Sequence, residues 1–159
     1  MTHITIEYMI MMPMLILQIF LFPLTASWLM NVWVDSRRTL ALQEVASHLG
    51  STIQQLYFSL NHESISAGTA TYSPGLPPFI EDYYYTGNAT LRTVSGSANS
   101  SKVLQITLKL AKTKVTVTAL VILGPNVLWQ PSVFISNSTN AIVSAEKLSD
   151  GTIRLYFGE

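Results

Sequence analysis

The stretch "YMIMMPMLILQIFLFPLTASWLMNVWV", residues 8–34, runs 27 positions without a formal charge. About 20 apolar residues, each rising 1.5 Å, suffice to cross the hydrocarbon core of a bilayer. The run therefore spans with length to spare. It is also longer than the apolar region of a cleavable secretory signal, about 7–15 residues, and lacks the basic start of one. It reads as a retained membrane segment, residues 1–34. Pro13 and Pro23 interrupt it, which membrane helices tolerate where the freed carbonyls find other partners. Trp28 and Trp33 fit an interfacial aromatic belt, and Asp35, Arg37 and Arg38 mark the exit into water.

Beyond that exit the pattern changes period. Leu42, Val45, Ala46, Leu49, Ile53, Leu56 and Leu60 recur at helical spacing, while Gln43, Glu44, Ser47, His48, Gln54 and Gln55 fill much of the other side. Residues 35–62 thus read as an amphipathic extension of the same helix. A helix from about residue 5 to 61 would be roughly 85 Å long at 1.5 Å per residue. Residues 63–80 hold two glycines and three prolines and read as a connection.

From residue 81 to 159 the chain reads as an antiparallel β domain. Leu104, Ile106, Leu108 and Leu110 alternate with Val103, Gln105, Thr107 and Lys109, the mark of a strand with one buried face. Further strands are expected at about 89–95, 114–123, 127–135, 141–148 and 152–157, joined by short turns such as the Asp-Gly pair at 150–151. Strands in sequence with short loops make a meander, and its apolar face needs a cover. The stripe from Leu42 to Leu60 supplies one. The expected class is α+β: a long N-terminal transmembrane and amphipathic helix packed against a small antiparallel β-sheet domain.

Composition narrows function. Charged residues make up 11% and the net formal charge is zero, which argues against nucleic acid as a partner. Cysteine is absent, so disulfides and thiolate chemistry are excluded. His48 and His62 stand about four helical turns apart, too far to share a metal, and read as solvated. Glu81 and Asp82 read as a solvated loop pair. Tyr83, Tyr84 and Tyr85 read mainly as packing at the sheet edge, and Lys102, Lys109, Lys112 and Lys114 as a solvated face. No Gly-x-Ser-x-Gly elbow with a triad and no Gly-rich phosphate loop is legible. Neither an enzyme nor a cofactor is expected.

The chain's start carries a further pattern, His3-x-Thr5-x-Glu7-x-x-x-Met11. It resembles the Gln-x-Ser-x-Glu-x-x-x-Leu start of archaeal type IV pilin-like proteins with class III signal peptides. The resemblance covers about the first 60 residues, and a small β headpiece after the helix is similar to that family's layout. It implies removal of a short leader, here residues 1–2, leaving His3 as the new N-terminus and Glu7 as its fifth residue. It implies assembly through the hydrophobic helix into an extracellular pilus-like filament. Glu7 would set the register by pairing with a sister subunit's N-terminal amine. The implied partners are the bilayer, sister subunits, a signal peptidase and the pilus assembly machinery. The usual leader ends in a basic residue and a glycine, where this chain has Met1 and Thr2.

Physical chemistry gives Glu7 a motive of its own. An ionised acid at a bilayer centre costs about 2.5–3.5 kcal/mol on insertion scales, and so favours a partner. The alternative is a carboxylate that simply reaches the headgroups at the helix end. Orientation is contested by two signals. Arg37 and Arg38 follow the span and nothing basic precedes it, which by the positive-inside tendency points the β domain to the cytoplasm. Three N-glycosylation sequons, at Asn88, Asn99 and Asn137, lie in or beside expected turns and point outside. The resemblance requires the outside placement, a single-pass protein with an extracellular C-terminal domain. The runner-up is a surface β domain anchored by one span that binds a ligand or envelope component without polymerising.

Overall fold

The computed structural model describes residues 2–93 and 100–158, with the side chains of residues 2–8 outside the description. The chain is α+β. Among the described residues one helix, α1, covers Thr2–Leu60, and eight strands follow: β1 Gly68–Tyr72, β2 Tyr85–Thr93, β3 Lys102–Leu110, β4 Thr116–Leu123, β5 Val127–Trp129, β6 Val133–Ile135, β7 Val143–Lys147 and β8 Ile153–Phe157. The chain forms two compact units, residues 1–37 and 38–159.

The second unit is built around the helical stripe. Leu42, Ala46, Leu49 and Ile53 are fully buried, with Val45, Tyr57 and Leu60 nearly so. Leu56 is only partly covered, and the neighbouring Tyr57 takes the buried place expected of it. The hydroxyl of Tyr57 explains why: it donates to Asn126 Oδ1 at 2.9 Å, while Asn126 Nδ2 donates to Asn61 and to the carbonyl of Gly151. This joins the end of α1 to two turns of the β domain. Lys147 Nζ donates to the carbonyls of His62 and Ile65, satisfying acceptors just past the helix end.

The strands form two four-stranded sheets and not one meander. Their orders are β1-β7-β8-β5 and β4-β3-β2-β6. Three expectations are corrected here. The segment 63–80 is not purely a connection, because Gly68–Tyr72 pairs antiparallel with β7. The single run expected at 127–135 is two strands in different sheets. Pro131 lies between them, where a missing N–H would leave a gap in a ladder. Third, β5 and β8 run parallel, while every other strand pair is antiparallel.

The remaining strands follow their patterns. Leu104, Ile106, Leu108 and Leu110 are all fully buried, and the Asp-Gly turn has Gly151 at φ 82° with β7 and β8 paired across it. Phe134 on β6 meets Phe157 on β8 edge-on at 5.5 Å, and Trp129 meets Phe157 at 4.9 Å, so aromatic rings close the space between the sheets. Gly87 lies between Leu108 and Phe134 in the register, and a Cβ there would come within 2.7 Å of Leu108. A larger residue there would force Leu108 and Phe134 to shift. Tyr85 is fully buried, donates its hydroxyl to the carbonyl of Pro77 at 2.8 Å, and burial pushes its phenol up to about 12.

Candidate functional site

The first unit presents a long apolar helical segment. From Met9 to Trp33 the large apolar side chains lie open: Met9 is 80% exposed, Phe22 77% and Trp28 67%. Such a continuous apolar surface far exceeds the few hundred Å² that soluble monomers show. The most apolar 18-residue stretch of α1 has a mean hydropathy of 2.0, and α1 is the one helix among the described residues long and apolar enough to cross a membrane. The segment is compatible with a membrane anchor.

Local detail suits that surrounding. Pro13 and Pro23 both lie inside α1 without ending it. Thr25 turns its hydroxyl back onto the carbonyls of Leu21 and Phe22, at 3.0 and 2.9 Å, so its polar atom needs no water. A shallow hollow lies beside each proline. One, of about 530 Å³, is lined by Met12, Pro13, Ile16, Leu17 and Phe20. The other, of about 590 Å³, is lined by Leu15, Gln18, Phe22, Pro23 and Thr25. At the far end the guanidinium of Arg37 lies 5.8 Å from the Trp33 ring centre, a pairing of aromatic and cation that suits a membrane boundary.

The pilin-like pattern falls partly outside the description. His3, Thr5 and Glu7 stand within α1, but their side chains are among those not described. Met11 is described, and its side chain is 63% exposed. Of the sequons, Asn99 lies outside the described residues. Asn137 is exposed in the turn after β6. Asn88 does not sit in a turn. It lies within β2 with its side chain exposed, because that strand alternates and its even positions face outward.

Two polar features were not legible in the sequence. Glu81, expected in a solvated acid pair, receives a hydrogen bond from Arg38 Nε at 2.7 Å, and the Arg38 guanidinium lies 5.2 Å from the Tyr83 ring centre. Glu81 and Asp82 both take positive φ, 45° and 67°, in a tight turn where Ile80 and Tyr83 exchange backbone hydrogen bonds. Forty-three positions separate Arg38 from Glu81, so no local pattern announces the pair. Lys102, read as part of a solvated face, donates to the carbonyl of Val127 at 2.8 Å and ties the two sheets together.

Among the described residues there is no group of three His, Cys, Asp or Glu that could hold a metal. Comparison with protein-family models, with curated proteins and with solved structures finds no match to this chain.

Proposed function

We propose that this chain is a pilin-like structural subunit: it is held in the membrane by its leading helix and then packs, helix against helix, into an extracellular filament displaying the β domain. The observation that carries this reading is the apolar surface from Met9 to Trp33, which stands exposed among the described residues. Lipid covers such a surface, and so do sister helices. The hollows beside Pro13 and Pro23 give it relief into which neighbouring side chains fit. The pattern at residues 3–11 and the β domain after the helix support the second cover. In the filament Glu7 pairs with a neighbour's N-terminal amine and fixes the axial register. A leader peptidase and an assembly machine come from other chains.

The β domain then faces the outside, with Asn88 and Asn137 both accessible for glycan attachment. Protease added to intact cells is expected to remove the β domain, with cleavage at the exposed segment 61–66 leaving a membrane-held fragment. A β domain that is cut only after lysis would place it in the cytoplasm, as the arginine count suggests, and would end the filament reading.

A further inference from the structure

We infer that the β domains of neighbouring copies join edge to edge, β4 of one copy pairing antiparallel with β6 of the next, so that one sheet continues from subunit to subunit. The inference rests on the filament reading for one thing: all copies share one orientation.

β4 and β6 are the two edges of the sheet β4-β3-β2-β6. The ladder shows which backbone groups each edge leaves open. Leu110 N–H donates to the carbonyl of Val115, so residues 115, 117, 119, 121 and 123 face β3. The groups of Thr116, Thr118, Leu120 and Ile122 point away from the sheet. On the other edge, Ser136 N–H donates to the carbonyl of Tyr85, so 134 and 136 face β2 and the groups of Val133 and Ile135 point away. Two of the open acceptors are already used. Gln54 Nε2 donates to the carbonyl of Ile122, and Ser138 N–H to that of Ile135.

These occupied positions fix a register. With Leu120 opposite Val133, the two residues exchange both of their backbone hydrogen bonds, and Ile135 N–H donates to the carbonyl of Thr118. Ile122 then faces Pro131, which has no N–H to offer, and the carbonyl of Ile122 needs none because Gln54 holds it. Shifting by two residues would instead set Leu120 against Pro131 and leave a carbonyl unmet.

Side chains agree with the ladder. Leu120 and Ile122 are 68% and 63% exposed, Val133 and Ile135 51% and 42%, and all four project from the same outward face of the sheet. Pairing the edges brings these apolar groups together. Beside β6 lies a hollow of about 490 Å³, lined by Pro131, Ser132, Val133, Ile135 and Asn88, open to a neighbour's side chain. β4 carries no charge and no proline along its eight residues. α1 runs beside this edge and leaves a hollow of about 390 Å³ between Gln43, Ser47, Gly50 and Gln54 and residues 117–122, which the incoming strand enters.

Orientation selects β6 over a second β4. Gly50 abuts Val121, Gln54 reaches Ile122 and Tyr57 reaches Asn126, so the helix and β4 advance in the same direction. A two-fold joining β4 to β4 would turn one copy end for end. β4 and β6 already run antiparallel within each copy, so copies of like orientation present a matched pair. Such a head-to-tail contact propagates.

The chain has no cysteine, which makes the test clean. The intact chain is expressed in cells with Leu120→Cys and Val133→Cys together, singly, and as a mixture of the two single variants. Asn88→Gln in every case removes the sequon beside β6. A hydrogen-bonded pair with Cα atoms about 5.5 Å apart is within disulfide reach. Oxidation is expected to give a ladder of dimers, trimers and higher species for the double variant. It should give dimers alone for the mixture, and monomer for each single variant. Dimers from Leu120→Cys alone would mean a two-fold β4 contact and overturn the inference. A monomeric double variant in cells whose sheared filaments still contain the chain would overturn it too, leaving the filament reading intact. Monomer with no filament would remove both.

Discussion

Introducing Leu17→Arg and Phe20→Arg together into the intact chain is expected to remove it from the membrane fraction. Both side chains project onto one helix face beside Pro13 and stand 59% and 68% exposed. Each arginine costs about 2.5–3.5 kcal/mol at the centre of a span, and each lost Leu or Phe forfeits about 0.3–0.6 kcal/mol more. The pair thus shifts insertion by about 6–8 kcal/mol, or more than 10⁴-fold at 1.4 kcal/mol per decade. Carbonate extraction followed by quantification of the pellet measures it. The β domain's own core begins at Leu42, so its folding is not expected to change.

The second large effect concerns Glu7→Gln. Glutamine keeps the shape of the side chain and removes the charge, and it is no harder to insert into lipid than glutamate. Membrane levels are therefore expected to hold. In the filament each neighbour's N-terminal amine loses its counter-charge. Removing one partner of a buried ion pair costs about 3–5 kcal/mol because the other charge stays behind. Repeated at every subunit, that loss is expected to reduce filaments sheared from cells by at least about 10²-fold. Filaments of normal yield and spacing from the Gln variant would show that Glu7 is merely wetted at the headgroups.

The sequence disclosed those parts of the fold that repeat locally. β3 alternates large apolar with polar side chains, and its four even positions from 104 to 110 are buried. The stripe from Leu42 to Leu60 covers a helix with one dry face, and only the Leu56–Tyr57 exchange was unforeseen. What failed depended on distant partners. β1, Gly-Thr-Ala-Thr-Tyr, is exposed on both faces apart from half-covered Ala70, so it lacks the contrast that marks a strand. Its identity comes from β7, more than seventy residues on. The split of 127–135 reflects two sheets competing for one apolar run, with Pro131 between them. The parallel β5–β8 pair joins strands that β6 and β7 separate in the chain, so no local pattern announces it.

The candidate site divides in the same way. The uncovered apolar run was plain from composition, since 27 residues pass without a charge. The Arg38–Glu81 pair was hidden, because both residues sit at charged positions that water would equally accept. The outer edges of β4 and β6 were hidden as well. Backbone donors carry no sequence signature, and only the ladder tells which are unpaired.

The central claim is that the leading helix exchanges lipid for sister helices, and the covering of Leu17 tests this most directly. A photoreactive residue is placed at position 17 of the intact chain, and membranes and sheared cell-surface material are irradiated separately. In the sheared material, adducts between copies of this chain are expected, forming a ladder and free of lipid. Lipid adducts on monomeric chain in every fraction, with no chain in the sheared material, would contradict the claim.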